Sequence, residues 1–242
     1  GGSSKYYHLY GGSIPWASVV EERIVERKIA PPGSFEEGKS LKIFQTGERV
    51  LREKARPLRL DEIKSAEVQD LIGKMQRTMR AAPGVGLAAP QIGYSIQLAV
   101  IEDRPEYHSR WTEGQLQKWQ RRPIPFHVII NPTLTKIGEE QPEFFEGCLS
   151  VPSIMGLVPR AASVRVDCLN EKGEPIVINA TGWYARILQH EIDHLNGTLF
   201  WDRADAKSLM TLDNFLKHWK DVPVEEAKRS LSLKPGIDSG AY

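Results

Sequence analysis

The chain has 242 residues, 40% hydrophobic and 26% charged, which is enough to bury the core of one globular domain with extensions. Its formal net charge is +1 with acids and bases interspersed, so the sequence offers no electrostatic basis for direct binding of nucleic acid or of an anionic membrane. No apolar run approaches the roughly 20 residues that a transmembrane helix needs, and we expect no membrane span.

Residues 1–40 are predicted to be an N-terminal extension, in which Gly1 to Ser4 resemble a cloning remnant. The remainder is either a docking arm, the end of a targeting segment or a loosely packed extension. The main domain is expected over residues 41–220, followed by a polar, mobile C-terminal tail over residues 221–242. Early in the domain, residues 66–80 are predicted to form a helix. Its apolar face consists of Val68, Leu71, Ile72, Met75 and Met79.

A glycine-rich stretch, GVGLAAPQIG, follows over residues 84–93. Its small residues let the backbone pass close to a ligand or to a buried helix, but the G-x-G-x-x-G spacing of a dinucleotide site is absent. Residues 97–101 and 126–131 are predicted strands. The polar residues 102–126 between them are expected to be a surface insertion, with a short helix over residues 112–121.

The chain has two cysteines, too few for a secreted disulfide scaffold, and this count fits a reducing compartment with one thiol as a metal ligand. Cys148 lies next to Gly147 in the extended stretch FFEGCLSVP, from which a thiolate can approach another element without obstruction. Taken alone, Cys148 is an ordinary buried thiol; beside two histidines on a helix it becomes a third ligand. Cys168 lies in an alternating strand and is expected in the core.

A helix is predicted within residues 180–200, and it carries the motif H-E-x-x-H as His190, Glu191 and His194. Positions i and i+4 share one helix face, so both imidazoles can reach one metal ion while Glu191 stands beside its open side. The alternative is a chance match in which both histidines are ordinary core residues. Phe200 stands where a common zinc-protease pattern has its third histidine, so the sequence does not match that pattern.

These elements predict an α+β fold, with antiparallel sheets wrapped around a central metal-binding helix and with flanking N- and C-terminal helices. A turn at Asn170–Gly173 makes the last two strands a hairpin. The C-terminal helix is expected over residues 208–220. The strands are predicted in the regions 97–101, 126–131, 144–152, 163–169 and 174–179.

Three motifs, in this order, resemble the signatures of the peptide deformylase family. They are GVGLAAPQIG at 84–93, EGCLS at 146–150 and QHEIDHLNG at 189–197. The family patterns G-x-G-x-A-A-x-Q, E-G-C-x-S and H-E-x-x-H are matched at every fixed position, and the similarity runs from about Leu41 to Asp205. Gly182 and Trp183 at the start of the helix, together with the insertion at residues 102–126, resemble the eukaryotic organellar branch of the family.

The resemblance implies a metal-dependent hydrolase that removes the N-formyl group from the N-terminal formyl-methionine of newly synthesised polypeptides and releases formate. One divalent metal ion per chain is implied, natively Fe(II), with zinc, nickel or cobalt as substitutes. Its ligands would be Cys148, His190 and His194. Glu191 would take the proton of the attacking water and pass it to the departing amine. Gln91 and the backbone N–H of Leu149 would hold the oxyanion, and residues 41–220 would be the catalytic domain.

Substrate-binding residues are expected to flank the three motifs, where the alternative is plain core. They are Gly84, Val85, Gly86, Phe144, Glu146, Gly147, Trp183 and Ile187. Arg160 is predicted to pair with Glu146 behind the metal, where the alternative is that Glu146 is a surface acid. Many bacterial members carry an arginine that meets the substrate backbone, and Met155 aligns with it here. That difference leaves the affinity for the peptide backbone open.

The partners implied are N-formyl-methionyl ends of nascent chains near a ribosome, without direct contact to nucleic acid. The implied compartment is the mitochondrial or another organelle matrix, with the bacterial cytoplasm as the alternative, and the oligomeric state is left open. Two other classes of function remain. A zinc protease acting on internal bonds would need a cleft open at both ends, and a non-catalytic metal module would need a fourth protein ligand.

Overall fold

The computed structural model describes residues 40–232. The N-terminal extension predicted over residues 1–40 therefore lies, except for Ser40, outside the described residues, as does the end of the predicted tail from residue 233 onward. No helix among the described residues combines the length and the apolar character that crossing a bilayer requires.

The described chain is α+β, as predicted, and all neighbouring strands within its sheets are antiparallel. The strands are β1 Gly86–Ala88, β2 Leu98–Asp103, β3 Ile124–Ile137, β4 Glu143–Cys148, β5 Val151–Pro159, β6 Ser163–Leu169, β7 Pro175–Thr181 and β8 Met210–Thr211. One sheet has five strands in the order β1-β2-β3-β6-β7, and the other has three in the order β4-β5-β8. The helices are α1 Leu60–Ile63, α2 Ala66–Ala81, α3 Glu113–Lys118, α4 Gly182–Leu195, α5 Leu212–Asn214 and α6 Val224–Ser230.

The five-stranded sheet separates two cores, because successive side chains of a strand point to opposite faces. On β2, Leu98 and Val100 join the core that contains the apolar face of α2, whereas Ala99 and Ile101 join the core that contains α4. The predicted face of α2 is buried throughout. Cys168 is 6% exposed and lies in the α4 core, as expected. Helix α4 thus lies against one face of the sheet, with His194 buried and His190 half-buried.

Several elements differ from the sequence-based expectation, and one of them is β3, which spans Ile124–Ile137 and not only residues 126–131. The region 144–152 is not one strand: β4 ends at Cys148, and β5 starts at Val151 and extends well beyond the predicted limit. The C-terminal helix begins at Leu212, not at residue 208, because Met210–Thr211 pairs with β5 as a short strand. Helix α5 continues into a π-helical turn over Phe215–Trp219. Within the expected tail, α6 packs Ala227 fully into the structure.

Candidate metal centre

Three potential metal ligands converge from two elements. Cys148 ends β4, and His190 and His194 lie one turn apart on α4. One ligand atom from each residue lies within 4.8 Å of the others, and Sγ of Cys148 is 3.3 Å from Nε2 of His194. One thiolate and two imidazoles form a donor set that suits zinc, iron, nickel or cobalt. Within the described residues, the sequence-predicted ligand set is thus brought together in space.

Behind this cluster, Glu146 connects His190 to two arginines. Its carboxylate lies 3.1 Å from Nδ1 of His190 and accepts hydrogen bonds from Arg160 at 3.0 and 2.9 Å and from Arg186 at 2.8 Å. Burial alone would raise the pKa of Glu146, but the hydrogen bonds and charges of His190 and Arg160 hold it well below its usual range. With Nδ1 held by the carboxylate, Nε2 of His190 is directed to the cluster.

Arg186 is a site residue that the sequence analysis missed. It is buried on α4, and besides Glu146 it donates to the carbonyl oxygens of Val158 at 2.8 Å and Pro142 at 2.7 Å. Its guanidinium also lies 5.1 Å from the centre of the Phe144 ring. The available signal was an arginine within an otherwise apolar stretch of helix, because a buried cation requires an acidic partner.

Glu191 presents an unpaired carboxylate on the same helix. Its residue is only 4% exposed, and its Oε2 has no hydrogen-bond partner among the described residues. Burial raises the pKa of Glu191 to about 7, because the charged form loses hydration there. A carboxyl with such a pKa can both accept and release a proton near neutral pH.

The side chain of Gln91 is held in one orientation towards the cluster. Its Oε1 accepts the backbone N–H of Ala88 at 2.9 Å, so its amide group must point the other way. That amide donates to Oγ of Ser150 at 3.2 Å and lies 3.7 Å from Sγ of Cys148. Leu149 follows Cys148 directly, and its carbonyl oxygen accepts a hydrogen bond from Gln45 at 3.1 Å.

A cavity of about 870 Å³ opens beside the cluster. Its wall includes Gln91, Cys148, Leu149, His190 and Glu191 and all eight predicted substrate-binding residues. Those eight are Gly84, Val85, Gly86, Phe144, Glu146, Gly147, Trp183 and Ile187. Arg160 lies behind the wall and Met155 is part of it.

The expectation that residues 102–126 form a surface insertion is wrong in one respect. Trp111 and Trp119 from this segment line the cavity. Asp103 is fully buried and accepts two hydrogen bonds from Arg121, at 2.8 and 3.0 Å. The helical segment that starts with α5 forms another part of the wall, where Leu216 stays 52% exposed. Both segments are far from the ligands in sequence, so no local pattern connected them with the site.

Residues 40–209 match the family model for polypeptide deformylase. The chain is 45% identical over 172 residues to "Peptide deformylase 1A, chloroplastic" of Solanum lycopersicum, a match that covers 71% of this chain and 62% of that protein. It is 40% identical over 221 residues to "Peptide deformylase 3" of Streptomyces avermitilis, covering 91% of this chain and 92% of that protein.

Among solved structures, the chain resembles a Met-Ala-Ser-bound class I type b peptide deformylase from Acinetobacter baumannii. The two share 34% sequence identity with a TM-score of 0.61, and the match covers 68% of this chain and 98% of that one. The family model spans well over half of the 242 residues, and within its bounds lie Gln91, Cys148, His190, Glu191 and His194. On this evidence, the chain belongs to the polypeptide deformylase family.

Proposed function

We propose that this chain hydrolyses the N-formyl group of N-terminal formyl-methionine on newly made polypeptides, with formate and a free amino terminus as products. The observation that carries the proposal is the convergence of Cys148, His190 and His194 beside the unpaired carboxylate of Glu191, at the wall of a cavity. Family membership supports the reaction type, and the residue roles below are argued from the geometry.

Cys148, His190 and His194 would hold one divalent metal ion, and the chemistry of the cluster fits such an ion. One ligand atom from each of the three residues lies within 4.8 Å of the others, and Glu146 orients His190 through Nδ1. When bound, a divalent metal polarises a carbonyl group and lowers the pKa of a coordinated water toward about 7. We propose Fe(II) as the native ion and zinc, nickel or cobalt as substitutes, because all of them accept this mixed donor set.

Glu191 would move the proton in this reaction. A water that attacks the formyl carbon must lose a proton, and the departing amine must gain one. The Oε2 atom of Glu191 has no competing partner among the described residues, and its pKa of about 7 suits both transfers. Glu191 therefore acts first as a base towards the water and then as an acid towards the amine nitrogen.

Gln91 and the backbone N–H of Leu149 would stabilise the oxyanion that forms at the formyl oxygen. The Gln91 amide donates to Oγ of Ser150 at 3.2 Å, and its second contact, with Sγ of Cys148, is long at 3.7 Å and can be exchanged for a hydrogen bond to the substrate. Such donors, aimed at the developing charge, each contribute on the order of 3 kcal/mol to transition-state stabilisation. The glycine at position 84 lets this loop approach closely, since a β-carbon there would lie 3.0 Å from the Leu149 side chain.

The methionine side chain would lie in the apolar part of the cavity, between Val85, Phe144, Trp183 and Ile187.

A non-catalytic metal module is the weaker alternative, because the cluster of described residues contains three ligands and leaves Glu191 without a purpose.

Nascent chains near a ribosome would supply the substrate. An organelle matrix is the proposed compartment, supported by the chloroplastic relative, and the Streptomyces relative supports the bacterial cytoplasm as the alternative.

The proposal is tested by amine release from a formyl-Met tripeptide by protein loaded anaerobically with Fe(II), beside an acetyl-Met tripeptide. We expect release from the formyl peptide alone, reduced by at least about 100-fold in a Glu191→Gln variant, because proton transfer typically contributes 10²–10⁴-fold. A matched variant, Glu225→Gln, changes an exposed glutamate of α6 and should retain wild-type activity. Folded, metal-loaded protein that leaves the formyl peptide intact would overturn the proposal in favour of the metal module.

A further inference from the structure

The segment between β2 and β3 is anchored to the first residues of α4. The backbone N–H of Trp183 donates to the carbonyl oxygen of Trp119 at 2.9 Å. Arg121 is held by two hydrogen bonds to buried Asp103, and its guanidinium lies 5.3 Å from the centre of the Trp183 ring. Backbone and side-chain contacts together therefore place Trp119 beside Trp183 in a defined position.

Trp119 packs against two rings that belong to the proposed methionine pocket. Its ring centre lies 5.6 Å from that of Trp183 and 6.2 Å from that of Phe144, and these two rings are 6.3 Å apart. All three distances lie in the range of favourable aromatic pairs. The three side chains, which we call the aromatic wall, all line the cavity beside the metal ligands.

The spacing of residues along α4 indicates how far the aromatic wall lies from the metal ligands. Along α4 from the ligand His190, Ile187 comes first and Trp183 follows at about 10 Å, given the rise of roughly 1.5 Å per residue. In N-formylmethionine, the terminal methyl group is roughly 8 Å from the formyl carbon when the side chain is extended. With the formyl group at the metal, the methyl group would approach the aromatic wall.

We propose that Trp119 is a specificity-determining residue that closes the far end of the methionine pocket. The inference rests on the proposed function and assigns a role to the segment between β2 and β3. The Trp119 ring limits the length of the side chain that the pocket accepts. A side chain longer than methionine by one methylene group would press against this ring, and a smaller residue at position 119 would make room for it.

The experiment compares formyl-Met and formyl-ethionine tripeptides, which differ by one methylene group beyond the sulfur. For wild-type protein we expect a kcat/KM ratio of about tenfold or more in favour of methionine, since one methylene group in a fitted pocket is worth roughly 10- to 200-fold. In Trp119→Leu the ratio should fall to within about threefold. Trp119→Phe, which keeps a ring, should retain an intermediate preference. The dissociation constants of the free-amine Met and ethionine tripeptides, measured by calorimetry, should change in parallel.

A control variant separates pocket closure from general loosening of the segment. Leu116→Ala removes apolar volume from α3, but Leu116 lies outside the wall of this cavity, so the wild-type preference should persist. If Trp119→Leu only lowers the melting temperature and keeps the wild-type ratio, or if Leu116→Ala shifts the ratio equally, Trp119 has no role in specificity. Absence of amine release from wild-type protein with formyl-Met peptide would overturn the proposed function itself, which is a separate outcome.

Discussion

Gly86 and Glu191 lie so close together that a β-carbon on Gly86 would be 2.3 Å from Oε1 of Glu191 and 2.6 Å from its Cδ. Gly86 begins β1, and Glu191 lies on α4 directly after His190, one of the three candidate metal ligands. The backbone of the glycine-rich stretch therefore forms one wall against the carboxylate. The position of the Glu191 carboxylate therefore depends on the absence of a side chain at residue 86.

The Gly86→Ala substitution should therefore reduce activity far more than stability. The added methyl group would force the Glu191 carboxylate to turn away towards the cavity, and a misplacement of about 1 Å can cost roughly 100-fold in rate. We expect kcat for the formyl-Met peptide to fall by about that factor while the protein stays folded, as measured by steady-state kinetics and thermal melting. As a control, Gly73→Ala on α2 has ordinary space for its methyl group and should be stabilised by about 0.5–1 kcal/mol with unchanged kcat. Unfolding of Gly86→Ala at ambient temperature would contradict this prediction.

The Glu146→Gln substitution should destabilise the protein strongly, because Glu146 is the shared anion of two buried arginines. Removing one member of such a group leaves unpaired charge in the interior, at a cost of about 3–5 kcal/mol. Urea unfolding of metal-free protein should show this loss, and competition with a chelator should show weaker metal binding because His190 loses its partner. Asp167→Asn breaks the exposed ion pair with Arg165 and should leave both measurements nearly unchanged. Equal effects of the two substitutions would argue against the buried network.

The stability of the protein should also depend on Glu102 in acid. Hydrogen bonds from Arg80, at 2.8 and 2.7 Å, lower the pKa of Glu102 below its ordinary value of 4.5. A carboxyl whose pKa is lower in the folded chain stabilises the fold above the unfolded pKa, and this contribution is lost as the pH falls through the folded pKa. Wild type should exceed Glu102→Gln in free energy of unfolding by a constant amount from pH 7.5 to about 5.5, and by less at lower pH. Urea titrations from pH 7.5 to well below the unfolded pKa of Glu102 test the sign, and an advantage of the wild type that grows on acidification would refute it.

Local sequence patterns were sufficient for the elements that carry the chemistry. Helices α2 and α4 were predicted because their apolar residues repeat with the helical period, and the hairpin of β6 and β7 because its turn is short and contains glycine. The candidate ligand set was predicted because two histidines at i and i+4 need a third partner, and Cys148 stood next to a glycine in an extended stretch.

Long-range packing explains what sequence reasoning missed. Arg186 donates a hydrogen bond to Glu146, which lies 40 residues earlier in the chain, and no local pattern indicates that pair. Trp119 lies among polar residues, which is typical of a surface loop, although its ring faces the cavity. The predicted strand ended at residue 152, whereas β5 continues to Pro159. Gly156 and Pro159 have low strand propensity, and the pairing of β5 with β4 and β8 compensates for it.

Metal binding should stabilise the fold through the three clustered ligands. An ion that binds the folded chain at 100 times its dissociation constant contributes about 2.7 kcal/mol, which corresponds to roughly 5–10 °C in melting temperature for a domain of this size. We therefore expect Fe(II), zinc, nickel or cobalt to raise the melting temperature of chelator-treated protein by this amount, measured anaerobically by differential scanning calorimetry. His194→Ala should abolish the shift, whereas His218→Ala, which changes an exposed histidine outside the cluster, should preserve it. An undiminished shift in His194→Ala would place the bound ion elsewhere on the chain.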